Sequence, residues 1–151
     1  MAPVRDPAWS QPHILQLPKF SGRGASLSFI EGGNHIPFSI ERIYYLAEVK
    51  KQTIRGEHAH RDLEQLVIAI TGAFDVVIFN GEQQWTFSLN APDEALYIPA
   101  LHWGTLNNFS GAAACLVLAS AAYDPKDYLT TYDDFLTEVR QRQAGRGGTG
   151  G

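Results

Sequence analysis

Cysteine is almost absent from this chain. A single residue, Cys115, stands among 151, so no intramolecular disulfide can form. It lies in the apolar run Ala113-Ala114-Cys115-Leu116-Val117-Leu118 and is expected to be a buried, inert thiol in a reducing compartment. Long apolar runs are missing too: none approaches the ~20 residues of a membrane-spanning helix. The first residues, with Pro3, Asp6, Pro7 and Gln11, lack the apolar core of a signal peptide, and the expected location is the cytoplasm. Nor is there a surplus of positive charge. Lys+Arg 12 against Asp+Glu 16 gives a net charge of −4 and a pI near 5.7, which argues against a nucleic-acid partner, since phosphate neutralisation needs basic residues. Helical spacing is rare, found only over Tyr132 to Gln143, where Phe135, Leu136 and Val139 recur at helical intervals.

What the chain does have is a succession of short β-type runs. Ser26 to Ile30 alternates, and Phe38 to Leu46 is rich in Ile, Phe and Tyr. Gln65 to Ile70 ends at Thr71-Gly72, and Phe74 to Phe79 ends at Asn80-Gly81, a strong short-range hairpin signal. Gln84 to Leu89, Ala95 to Ile98 and Cys115 to Ala119 complete the series. Strands spaced ~8–12 residues apart with Gly, Pro or Asn turns predict an all-β antiparallel sandwich or barrel. A chain of this size supports one such domain without a disulfide or metal staple. The expected division is a single domain over residues 1–136, with 1–13 as a loose N-terminal arm, and residues 137–151 as the end of the helix and a disordered glycine-rich tail. The roll itself is expected over residues 20–122 and the helix near 132–142.

The segment Arg55-Gly56-Glu57-His58-Ala59-His60-Arg61-Asp62-Leu63-Glu64-Gln65 concentrates the chemistry. On a strand, His58 and His60 project from one face, because the side-chain period is two. Two imidazoles, a carboxylate at Glu64 and Gly72 after an apolar strand resemble the first half of a cupin metal motif. Its second half would place a histidine between Pro99 and Asn108. Both flanking residues are present, but the histidine position holds Gly104. His102 lies two residues away, ~7 Å along an extended strand, and a stable first-row metal site wants three or four protein ligands. The other role for His58 and His60 is proton transfer, which suits an imidazole.

Taken with Ile36 to Tyr45, Leu96-Tyr97-Ile98-Pro99, Trp103, Asn108-Phe109-Ser110, Val117 to Ser120 and Tyr123-Asp124-Pro125-Lys126-Asp127-Tyr128, these segments resemble the sugar 3,4-ketoisomerases, WxcM-like cupins. The resemblance runs from about Phe20 to Phe135. It implies a cupin jelly roll with a short C-terminal helix, and a homodimer in which an N-terminal strand pairs with the partner's sheet. The implied reaction moves the keto group of dTDP-4-keto-6-deoxy-D-glucose from C4 to C3, with no metal and no cofactor. By the same resemblance His58 is the expected base, with His60 and Tyr44 beside it. The chain departs from the family pattern at Gly104, often histidine, and at Thr130, where the family carries arginine.

Further residues are candidates for binding the substrate. Arg42 and Arg55 offer guanidinium groups to a diphosphate or are solvated. Arg23, in Gly22-Arg23-Gly24, can reach the sugar or nucleotide from a loop. Gln65 is a cavity hydrogen-bond partner or merely strand surface, His102 is a candidate contact to the substrate that could stand in for the missing histidine, and Trp103 is a nucleobase stacker or a core or rim residue. Glu64 is a metal ligand or orients a histidine. Tyr44 and Tyr45 point to opposite faces of a strand. A non-catalytic sugar-nucleotide-binding cupin, favoured by Gly104, and a nucleotide-sugar epimerase are the competing readings.

Overall fold

A computed structural model describes residues 5–147. In chain order the strands are β1 (His13–Gln16), β2 (Lys19–Gly22), β3 (Ala25–Ser28), β4 (Arg42–Val49), β5 (Arg55–His60) and β6 (Gln65–Thr71). They continue with β7 (Phe74–Phe79), β8 (Gln84–Leu89), β9 (Glu94–Ile98), β10 (Trp103–Asn107), β11 (Ala113–Ala119) and β12 (Tyr128–Leu129), and helix α1 (Tyr132–Gly147) follows. Two five-stranded sheets result, β1-β9-β6-β11-β4 and β12-β5-β10-β7-β8, and β2-β3 forms a separate hairpin. Every strand pairing is antiparallel, the jelly roll expected from the sequence.

The β7–β8 connection shows how local chemistry sets the register. Asn80 Oδ1 accepts the backbone N–H groups of Glu82 and Gln83 at 2.9 and 2.7 Å, and Gly81 takes φ +104°, a value that favours glycine. Phe74 then pairs with Leu89 and Phe79 with Gln84. Alternation along β7 sends Val76 and Ile78 inward, where they meet Val67, Leu96, Ile98, Cys115 and Val117 between the sheets.

The outer face of the first sheet is covered as well. Leu17, Ile36 and Phe38 pack on Leu66, Ile68, Tyr97 and Leu118, which is why β6 is buried on both faces through Ala69. This corrects the expectation of a loose arm over 1–13. Residues 1–4 lie outside the described residues, but Pro7–Ser10 is a 3₁₀ turn and Trp9 sits edge-on to Tyr97 at 4.8 Å. The indole ring supplies enough apolar contact to anchor the segment, and Arg5 adds an ion pair to Glu64.

The helix is also longer than its apolar spacing suggests. Arg142 pairs with Glu138 at 3.2 Å and with Asp62 at 3.3 Å, and the Gln143 amide donates to Glu82 at 3.3 Å. These bonds tie its later turns to the body of the protein, so the part of the expected tail over 143–147 is helical. Residues 148–151 lie outside the described residues.

Candidate active site

Strand β5 carries the two histidines, and its geometry there is irregular. Gly56 takes φ +83° and Glu57 φ +57°, and the β5–β10 register shifts between Gly104 and Thr105. A Cβ built on Gly56 would lie 2.8 Å from the Gly104 carbonyl oxygen, so only glycine allows this approach. Such a bulge re-aims the side chains that follow it. The His58 ring folds back to donate Nδ1–H to its own Gly56 carbonyl at 3.0 Å, and its Nε2 comes within 3.2 Å of His60 Nε2.

His60 is held from several sides. Its side chain is 6% exposed, and Nδ1 meets Asp127 Oδ2 at 2.9 Å. The Gln65 amide nitrogen lies 3.3 Å from His60 Nε2 and donates to the Tyr44 hydroxyl at 3.1 Å. Tyr128, paired with His60 across β12–β5, places its ring 4.5 Å from the imidazole. Burial first, and then the nearby His58, lower the His60 pKa to about 4, against the opposing pull of Asp127. It is neutral at physiological pH. Burial likewise raises the Tyr44 pKa to about 12, so Tyr44 is a phenol there.

These side chains open into one cavity lined by Tyr44, Leu46, Arg55, His58, His60, Gln65, Ile98, His102, Gly104, Leu106 and Cys115. His102 donates Nδ1–H to the Ala100 carbonyl at 2.9 Å, while its buried Nε2 has no partner. Burial lowers its pKa, leaving Nε2 a bare acceptor. At Gly104 nothing lies within 4 Å of where a Cβ would stand, so the residue leaves open space in the wall. Cys115 lines the same cavity, its thiol pushed up to about 12 by burial.

Arg42 lies at the edge of the site. Its guanidinium packs over Tyr44 at 5.2 Å and Tyr123 at 5.6 Å and reaches the Tyr128 hydroxyl at 3.4 Å, while its buried Nε has no partner. Arg55 lines the cavity from an exposed position. The two arginines bring positive charge to this end of the roll.

Three of the expected site residues lie elsewhere. Trp103 faces helix α1, 5.5 Å from Tyr132 and 5.8 Å from Phe135, because alternation along β10 turns Gly104 and Leu106 inward and their neighbour outward. Arg23 occupies the tip of the exposed β2–β3 hairpin, at φ +52°, outside the cavity lining. Glu64 neither ligates nor orients a histidine: it accepts from the Tyr97 hydroxyl and from Arg5, on the opposite face from its neighbour Gln65. Among the described residues no group of three or more His, Cys, Asp or Glu side chains is placed to share a metal ion. Conversely, Asp127 and Tyr128 belong to the site although sequence reasoning gave them no role there. Tyr44 is the inward member of its pair, and Tyr45 is 70% exposed.

A double-sheet antiparallel roll with paired histidines on an inward strand face is a cupin-type architecture. The family described as FdtA: WxcM-like, C-terminal, matches residues 10–140, and the chain belongs to that family. It is 35% identical over 122 residues to the TDP-4-oxo-6-deoxy-alpha-D-glucose-3,4-oxoisomerase of Aneurinibacillus thermoaerophilus, covering 81% of this chain and 88% of that protein. Among solved structures, a 3,4-ketoisomerase from Helicobacter canadensis superposes with a TM-score of 0.83 at 37% identity, covering 85% of this chain and 97% of that one. A histidine-to-asparagine mutant of the 3,4-ketoisomerase QdtA from Thermoanaerobacterium thermosaccharolyticum, solved with TDP-4-keto-6-deoxyglucose, also superposes with a TM-score of 0.83. It is 32% identical, with coverage of 87% and 95%. Among the described residues, no helix is long and apolar enough to cross a membrane.

Proposed function

We propose that this chain is a sugar 3,4-ketoisomerase that moves the keto group of dTDP-4-keto-6-deoxy-D-glucose from C4 to C3, with His58 as the carbon acid–base. The observation that carries the assignment is the meeting of His58 Nε2 and His60 Nε2 at 3.2 Å in one cavity, with Tyr44 linked to His60 through Gln65.

Ketone migration between adjacent carbons passes through an enediol. His58 removes the proton from C3; the C–H electrons form the C3=C4 bond and the C4 carbonyl electrons move to its oxygen. The same imidazole returns a proton to C4 as the C3 oxygen loses its own and becomes the ketone. One base serves both carbons because they are neighbours on one ring face. His60, neutral at physiological pH, is equipped to take a proton from one sugar oxygen and pass it to the other. Tyr44, a phenol over the same range, hydrogen-bonds the developing enediolate, the point at which preorganised donors act. His102 Nε2 and Gln65 hold sugar hydroxyls, and Arg42 and Arg55 hold the diphosphate. No step calls for a metal or a cofactor.

The working unit is a homodimer formed by exchange of an N-terminal strand, in the cytoplasm where nucleotide sugars are made. Support comes from exposed apolar surface: Phe20 and Leu27 on the β2–β3 hairpin are 63% and 59% exposed, and Ile43 on the edge strand β4 is 60% exposed. Pairing removes that liability. The activity is tested by incubating chelator-treated protein with dTDP-4-keto-6-deoxy-D-glucose and following the ring protons by NMR. A 3-keto product is expected; unchanged substrate sinks the assignment.

A further inference from the structure

Asp127 is separated from His60 by 67 residues yet is built into its surroundings. It closes the 3₁₀ turn Pro125–Asp127, whose start is capped by the Asp124 side chain accepting from the Lys126 N–H. Its backbone carbonyl accepts from the Arg61 N–H at 2.8 Å. Its carboxylate is fully committed: Oδ1 accepts the Asp62 N–H at 2.8 Å and Oδ2 faces His60 Nδ1 at 2.9 Å. A carboxylate only accepts, so His60 carries its proton on Nδ1 and leaves Nε2 bare. The same reasoning applies to His58, whose Nδ1 faces a backbone carbonyl. The two bare Nε2 atoms therefore confront each other at 3.2 Å, an arrangement that is relieved when one of them takes a proton.

We propose that Asp127 is a positioning residue for the isomerisation: it locks His60 in the Nδ1–H tautomer, so that His60 Nε2 is the lone pair that receives the sugar-oxygen proton. In that step the O–H bond breaks, an Nε2–H bond forms, the oxygen electrons close the new C3 carbonyl, and the C3=C4 electrons take up the proton that His58 returns to C4. Asp127 stabilises the resulting imidazolium across the ring until the proton passes to the other oxygen. Among the described residues, the remaining groups facing His60 are His58 on its own strand, Arg42 from β4, Gln65 from β6, with Tyr44 beyond it, and Tyr128 from β12. Of these, Arg42 and a protonated His58 oppose a charge on His60, which leaves Asp127 as the one anion beside it among the described residues. This role rests on the ketoisomerase reading above, but the tautomer itself does not.

The substitution D127N separates the role from mere packing. An amide of the same shape has one oxygen for two donors, so it cannot satisfy both the Asp62 N–H and His60 Nδ1–H. Keeping the former turns its NH₂ toward His60 and forces the proton to Nε2. The first measurement is ¹⁵N NMR of histidine-labelled wild-type protein without substrate. It is expected to show His60 protonated at Nδ1 and bare at Nε2; an Nε2–H tautomer overturns the inference whatever the enzyme does. In folded D127N the tautomer is expected to switch, kcat to fall ~10²-fold or more, and dTDP affinity to stay unchanged. Wild-type kcat and tautomer in D127N overturn it. Should wild-type protein leave the keto sugar unchanged, the functional reading falls, and the tautomer result still stands or fails on its own.

Discussion

The Nε2 atoms of His58 and His60 approach to 3.2 Å, although residues two apart on a strand are ~7 Å apart at the backbone. The convergence follows from two features already described: the left-handed Gly56–Glu57 pair that bends β5, and the pull of Asp127 on the far side of the His60 ring.

The bend is therefore a sensitive point. Gly56→Ala places a methyl 2.8 Å from the Gly104 carbonyl at a φ of +83°, and the expected loss is about 1–3 kcal/mol of stability. Chemical denaturation checks this. Gly104→Ala, whose Cβ meets nothing within 4 Å, is expected to be neutral, and the reverse order of the two would show that the β5–β10 contact is not tight.

A second expectation concerns pH. The unfolded chain protonates His60 near its ordinary value of ~6.5, while the native chain does so only near 4. Between those values the unfolded state binds more protons, so stability falls as the pH drops through the window. The contribution of this one group reaches about 3 kcal/mol. Denaturant midpoints at pH 7 and 4.5 are expected to differ more in wild type than in H60Q; equal differences would remove His60 as the cause.

Cys115 is expected to be unreactive. Its thiol is buried and its pKa is raised to about 12, which leaves almost no thiolate at pH 8. A thiol reagent should label it only after denaturation. Rapid labelling of native protein would mean that the cavity wall opens.

Tyr44→Phe removes one hydroxyl that accepts from Gln65 and, in the proposed reaction, donates to the enediolate. The expected loss in kcat is about tenfold, the scale of one hydrogen bond. A fall as large as that of a His58 variant would instead make Tyr44 an essential proton donor.

Much of this arrangement was legible in the sequence. The short alternating runs and Asn80-Gly81 gave the antiparallel roll, and period-two spacing put His58 and His60 on one face. The same alternation, applied to β10, would have turned Trp103 away from the cavity once Gly104 was taken as inward; applied to Glu64 and Gln65, it would have separated the carboxylate from the histidines. Asp127 was not legible, because its partner is 67 residues distant and only the closed fold brings the two together. Trp9 was missed for a related reason: a proline-rich segment without periodicity looks unanchored until the Tyr97 ring it covers is known.

In the proposed 3,4-ketone migration it is His58 that moves the carbon proton. The most direct test compares wild type and H58N, both chelator-treated, on dTDP-4-keto-6-deoxy-D-glucose, with product followed by NMR and dTDP binding measured in parallel. Asparagine cannot exchange a proton near neutral pH, so the 3-keto product should form with wild type and turnover by H58N should fall by ~10²-fold or more, with dTDP still bound. Near wild-type turnover by H58N, or activity that returns only on adding iron or zinc, would contradict it.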